Sequence, residues 1–331
     1  MTDVDLRNRL KELREKHLHL SRRHKQLHSE RVRDLKRIEK LLADNAAFKG
    51  EAIKSKLSTE GRLHFGLKPP IDIGAILGEL KRLQVPIVEK AVDVEDFDRW
   101  FSRMNYEEGF PTYKKEFSGP GVLRRKALEH YLSIELCDVR PTDVFMDVAS
   151  SNSIVPELLR SHYGLERVYR QDLRYPEGID GWTIGSDARA IPLPDESVDV
   201  VTLHNSIEHF DGGADAAFIL EAARLLRPAG RLCVIPLFLA NRSSVYTNES
   251  LWPKFGVPAF PEDADVYLCD VPTHFAHFSS PERLKSHYID PVATRVRSEV
   301  AHYSNIAEAL DPADAAEIDR RMPFALVQRR I

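Results

Sequence analysis

Short apolar runs that end in acids or small polar residues dominate the second half of the chain. Val144 to Val148 is apolar apart from Asp147, and Ala149, Ser150, Ser151, Asn152 and Ser153 follow. A helical pattern then begins at Ile154, with Val155, Leu158 and Leu159 on one face. This order predicts a buried strand, a tight turn and a helix N-terminus. In an open parallel sheet, the first such turn is where a nucleotide-like ligand sits. Val168 to Asp172 predicts a second strand ending in an acid, and Val198 to His204 a further buried one. Leu225 to Pro236 reads as a helix end, a turn and another strand, with Asp215 to Leu226 the amphipathic helix before it. Val292 to Tyr303 predicts strand six, and Pro323 to Arg330 closes the sheet as an antiparallel strand. The alternation of strand and helix predicts a Rossmann-like, doubly wound, seven-stranded and mostly parallel sheet.

Ahead of the sheet the pattern changes. Residues 3–46 lack Gly and Pro, and Leu6, Leu10, Leu13, His17, Leu20, His24 and Leu27 keep the four–three spacing of a coiled coil. The register slips and resumes at Val32, Leu35, Ile38 and Leu42. A linker with helical fragments is expected from Asn45 to Pro70, punctuated by Lys49-Gly50 and Lys68-Pro69-Pro70. Short helices are predicted over Ile71 to Leu83 and Val92 to Met104, and a longer one over Leu123 to Leu136 with Lys126, Glu129 and His130 exposed or facing a pocket. Between them lie Phe101, Tyr106, Phe110, Tyr113 and Phe117, the material of a lid. Leu237 to Asp270 reads as a long irregular stretch. The domain division expected is 1–46, a basic coiled-coil-like helix; 47–122, linker and helical lid; and 123–331, the catalytic domain.

Charge sharpens this division. The chain has a net charge of -4, yet residues 1–42 carry 13 Lys/Arg against 7 Asp/Glu, and the remainder 34 against 44. A basic arm on an acidic body predicts a homodimer through the helix or peripheral contact with an anionic surface; the acidic body makes nucleic acid an unfavourable partner. No transmembrane segment or apolar leader is expected. Cys137, Cys233 and Cys269 are too far apart for a Cys-x-x-Cys motif, which predicts free thiols and a cytoplasmic setting.

The succession Asp147, Asp172, Asp187-Ala188, Ile191-Pro192-Leu193-Pro194 and Glu208-His209 resembles the class I S-adenosylmethionine-dependent methyltransferases, in their small-molecule and glycan branch. The resemblance covers residues 140–240 best. Glycines usual in that family after the first acid are replaced by Ala149, Ser151 and Ser153. It implies S-adenosyl-L-methionine as cofactor, with Asp147 toward its amino group, the backbone of Ala149 and Ser151 along the loop, Asp172 at the ribose, and Asp187 with Ala188 at the adenine. Methyl transfer to an oxygen of a small molecule or glycan is the activity implied. His204 and His209 are the catalytic candidates, because a hydroxyl acceptor needs a base. His274 and His277 have a metal-like spacing only if helical, and no metal is expected. A catalytically silent scaffold of the same fold and a nucleic-acid methyltransferase are the alternatives. The glycine fingerprint of a nicotinamide dehydrogenase is absent.

Overall fold

The computed structural model describes residues 3–66, 69–119, 121–270, 272–311 and 323–331. In chain order the elements are α1 (Asp3–Thr59), β1 (Leu63–Phe65), α2 (Ile73–Arg82), β2 (Ile87–Lys90), α3 (Val94–Met104), α4 (Tyr106–Gly109), α5 (Pro111–Glu116) and α6 (Val122–Cys137). Next come β3 (Phe145–Val148), α7 (Val155–Tyr163), β4 (Val168–Asp180), β5 (Thr183–Gly185), β6 (Val198–His204), α8 (Ala214–Leu225) and β7 (Leu226–Ile235). The remainder is β8 (Ser244–Thr247), α9 (Trp252–Phe255), β9 (Asp265–Leu268), β10 (Phe275–Phe278), α10 (Pro281–Leu284), β11 (Val296–Tyr303) and β12 (Phe324–Arg330).

The main sheet has the order β2-β11-β12-β7-β6-β3-β4-β5. From β7 to β4 the strands are parallel, and β12 runs antiparallel to both β7 and β11. The expected Rossmann-like sheet with its antiparallel C-terminal strand is therefore present. It has eight strands among the described residues, because β2 adds parallel to β11 at the edge. All four residues of β3 are buried, as a central strand covered on both faces requires. Strand alternation splits them: Phe145 joins the core under α6 and α7, whereas Met146 and Val148 join the core under α8 and α2. Asp147 shares parity with Phe145 and so faces α6.

Two expectations for the flanking segments are overturned. The Asn45–Pro70 linker is instead helix as far as Thr59, and the helix crosses Lys49-Gly50 without a break. Gly50 acts there through packing: a Cβ on it would lie 2.8 Å from Cε3 of Trp252 in α9. Leu237–Asp270 is not an irregular stretch, since β8 and β9 arise from it. With β1 and β10 they make a second sheet of order β1-β9-β8-β10. Leu57 of α1 packs with Trp252, Val266 and Leu268 of this sheet, and Lys54 Nζ lies 2.8 Å from Glu249.

Farther back along α1, Leu27, Val32, Leu35, Ile38 and Leu42 are exposed. The side chains of the expected seam at Leu6, Leu10, Leu13, His17, Leu20 and His24 lie outside the described residues. Among the lid aromatics, Tyr106 stacks on Phe101 and contacts Trp100 in the core beside α6. No helix among the described residues is long and apolar enough to cross a membrane.

Alanine has the better helix propensity by about 1 kcal/mol, yet Gly50→Ala is expected to lower stability by about 1–2 kcal/mol through overpacking against Trp252. Urea denaturation checks the sign, and an increase would show that α1 and α9 do not pack closely.

Candidate active site

Because alternation sends Asp147 to the α6 side, its buried carboxylate meets the side chains of the same parity on β6. Thr202 Oγ1 donates to Asp147 Oδ1 at 3.0 Å, and His204 Nδ1 lies 3.1 Å from the same oxygen. The other ring nitrogen of His204 is 2.8 Å from Ser133 Oγ on α6. Both nitrogens of His204 are thus engaged. Ser133 has one proton and two calls on it, the His130 carbonyl at 2.9 Å being the second. His130 stands edge-on to His204 with ring centres 4.9 Å apart, and its Nδ1 pairs with the Tyr106 hydroxyl at 2.8 Å. Burial pushes His130 well below the ordinary histidine range, so it is neutral. The second oxygen of Asp147 is buried and has no partner among the described residues.

The loop after β3 turns without glycine. Ala149 sits at φ +52°, the left-handed region that glycine enters at no steric cost. Backbone amides hold it there: Ser150 donates to the Gln171 carbonyl at 2.9 Å, and Ser151 to Asp172 Oδ2 at 2.9 Å. Asp172 Oδ1 takes the Arg174 amide at 2.8 Å, while the Arg174 guanidinium reaches back to Ser151 Oγ. Asp172 therefore joins the β3 and β4 loops. Each of its oxygens keeps a further lone pair for a ligand.

A cavity of about 260 Å³ opens over this loop. Ala149 to Ser153 form its floor, Lys126, Glu129 and His130 of α6 one wall, and Tyr113 with Phe117 another. His204, Asn205 and Arg174 complete it. Of the predicted residues, it unites Ala149, Ser151 and His204 directly, with Asp147 and Asp172 behind them. Asp187 and Ala188 do not border it. Asp187 takes the Arg189 guanidinium through both oxygens at 2.7–3.0 Å, which holds its carboxyl below the usual range. Neither does His209: it is half exposed, with Nδ1 2.6 Å from the Phe275 carbonyl of β10. His274 and His277 flank and occupy strand β10 rather than a helix. Among the described residues no group of three potential ligands could hold a metal.

Glu129, expected only to be exposed or to face a pocket, was given no catalytic or cofactor-binding role. It is wholly buried, and burial raises its carboxyl above the ordinary range. Lys126 Nζ lies 3.3 Å from Oε2, which also receives the Asn205 amide. Oε1 has no partner among the described residues. The available signal was a charge at position 129 on a helix whose neighbours Leu128, Tyr131 and Leu132 are all apolar and buried.

The profile of the methyltransferase domain family matches residues 146–234, the segment from β3 to β7. Among solved structures, an S-adenosylmethionine-dependent methyltransferase from Mesorhizobium loti is 16% identical, with 63% of this chain and 100% of that one covered at a TM-score of 0.42. A chain from the complex of a Haloferax volcanii methyltransferase activator with a methyltransferase is 15% identical, covering 71% and 96% at 0.41. The [4+2]-cyclase SpnF is 15% identical, covering 63% and 80% at 0.37. These likenesses are loose. No curated protein matches the chain. The sheet is Rossmann-like, and the family match marks its β3 to β7 segment as a methyltransferase domain. The match spans residues 146–234 of this chain, and S-adenosylmethionine is the cofactor such a domain implies. The site fits such a group, since Asp147 Oδ2 is a buried acceptor with no partner among the described residues, suited to an ammonium, and Ala149 takes the turn that glycine usually makes.

Left-handed backbone at an alanine costs about 1–2 kcal/mol, part of which glycine returns as unfolded-state entropy. Ala149→Gly is expected to raise stability by about 0.5–1 kcal/mol. A denaturant midpoint that falls would show that the loop does not adopt this turn.

Proposed function

We propose that the protein is an S-adenosylmethionine-dependent methyltransferase that methylates an oxygen of a small molecule or glycan. The observation that carries this reading is the cavity in which the loop Ala149 to Ser153 faces Glu129, a buried carboxylate with one oxygen that has no partner among the described residues, and the rings of Tyr113 and Phe117. When bound, the cofactor supplies an electrophilic methyl group. Asp147 would hold its ammonium and Asp172 its ribose, with the backbone of Ala149 and Ser151 lining the loop beside them; Asp187, closed by Arg189, and Ala188 lie outside the cavity. His204, with both nitrogens engaged, orients Asp147, and His209 ties the Ile207–His209 turn to β10. Tyr113 and Phe117, ring centres 4.6 Å apart, keep water from the reacting atoms. Holding the two reactants in line is itself worth about 7–11 kcal/mol.

The finer organisation follows the same reading. Residues 123–331 carry the catalytic body, to which the 47–122 segment adds β2 and a lid of aromatics from Phe101 to Phe117, while the basic stretch at 1–46, continuous with the rest of α1, serves as a dimerisation arm. Its exposed row from Leu27 to Leu42 supports a homodimer through a coiled coil. The cysteines, unpaired as disulfides and with Cys137 and Cys233 buried, suit the cytoplasm.

Calorimetric titration with S-adenosylmethionine and S-adenosylhomocysteine tests the reading. Micromolar binding, about -8 kcal/mol, is expected. Asp172→Asn, with its thermal midpoint checked, is expected to weaken it by about 10-fold or more, as loss of a charged hydrogen bond implies. Absence of binding by either compound would leave a catalytically silent scaffold.

A further inference from the structure

We propose that Glu129 is the catalytic base of the site and that its acceptor is a ring-borne hydroxyl, whose ring packs on Tyr113 and Phe117 while the hydroxyl donates to Glu129 Oε1. This rests on the methyltransferase reading and deepens it. The other charged and imidazole groups bordering the cavity are already committed. His204 has both ring nitrogens in hydrogen-bond contact, with Asp147 and Ser133. His130 is tied to Tyr106 and depressed by burial, which makes it a poor proton acceptor. Glu116 accepts from Asn152 Nδ2 at 2.5 Å and is exposed. Lys126 and Arg174 are cations. Glu129 alone among them combines a buried carboxylate with an oxygen that lacks a partner among the described residues.

A buried acceptor without a donor costs about 1–3 kcal/mol, more when charged. A ligand that supplies the donor removes that cost, so the site selects for a hydroxyl at this point. Lys126 and Asn205 hold the opposite oxygen, Oε2, and so fix the direction in which Oε1 faces. Lys126 also lies 5.6 Å from the centre of the Phe117 ring, linking the carboxylate to the aromatic wall.

In the reaction the acceptor's O–H proton passes to Glu129 Oε1. The freed oxygen pair forms the new C–O bond to the methyl carbon. The methyl–sulfur bond breaks with both its electrons on sulfur, and the sulfonium charge is neutralised. The carboxyl then returns its proton to solvent.

Proton affinity supports the role. Burial raises the Glu129 carboxyl, and Lys126, Arg125 and His204 pull it partly back. Glu208 on the Ile207–His209 turn, itself raised by burial, and Tyr113 of α5 also face this region. The base must be ionised to act. Activity is therefore lost as pH falls through a value above the ordinary carboxylate range, and is present above it.

The test uses the full chain loaded with S-adenosylhomocysteine. Its probes are catechol, methyl α-mannopyranoside and methyl β-glucopyranoside, with binding read by saturation-transfer NMR. The Glu129 carboxyl is followed in protein labelled with carbon-13 at the glutamate carboxyls and is assigned with Glu129→Gln. At least one probe is expected to bind, and its binding should shift the Glu129 titration downward, as donation to the ionised form requires. Catechol against the glycosides separates a phenolic from a sugar source. With tritiated S-adenosylmethionine and saturating probe, Glu129→Gln should transfer methyl at least about 100-fold more slowly, with probe affinity lowered by about 10-fold through loss of the charged hydrogen bond and cofactor affinity unchanged. Glu129→Asp, which keeps the charge but withdraws it, should retain part of the rate. An unmoved titration, wild-type transfer by Glu129→Gln, or binding of S-adenosylhomocysteine with no probe bound overturns the assignment of Glu129. Failure of S-adenosylhomocysteine itself to bind overturns the methyltransferase reading instead.

Discussion

A single buried carboxylate, that of Asp147, fixes the geometry of the site. It stands at the carboxyl end of β3, where alternation gives it no choice but the α6 face. From there it accepts from Thr202 and contacts His204, and His204 reaches Ser133 on α6. Three elements are thereby registered against one another at the edge where the loops emerge. Removing one partner would leave polar groups unpaired in a dry interior, which is why such networks tolerate little change.

The loops depend on that registration. Asp172 holds the Ser151 and Arg174 amides, so the turn after β3 and the turn after β4 move together. Strain at Ala149 is sustained because the hydrogen bonds on either side determine the turn. Opposite them, Glu129 is held by Lys126 and Asn205, and Asn205 itself is left-handed at φ +45°, a conformation asparagine tolerates. The second sheet and the long helix lie outside this centre and meet each other through Leu57, Gly50 and Trp252.

Much of the catalytic half was legible because its strands are buried on both faces and read as continuous apolar runs. Asp147, Asp172 and the helices over 123–136 and 215–226 follow from patterns of that kind. Gly50 was misread because a glycine inside a helix looks like punctuation until its neighbour, Trp252, is placed beside it. The strands β8 and β9 were hidden by brevity: four residues each, separated by Pro253, Pro258 and Pro261. Periodicity cannot mark Glu129, since its role depends on Lys126 one turn away and on Asn205, 76 positions later. His209 carried a motif position, yet a backbone carbonyl 66 residues on takes its Nδ1 and turns it from the cavity.

Amide hydrogen exchange with and without S-adenosylhomocysteine tests the central claim most directly, because it reports where the ligand sits rather than whether it binds. The account predicts slowed exchange at residues 149–153 and 172–174, the two turns joined by Asp172, with β8 and β9 unchanged. Protection confined to the contact between α1 and α9, with the Ala149 to Ser153 loop unaffected, would contradict it.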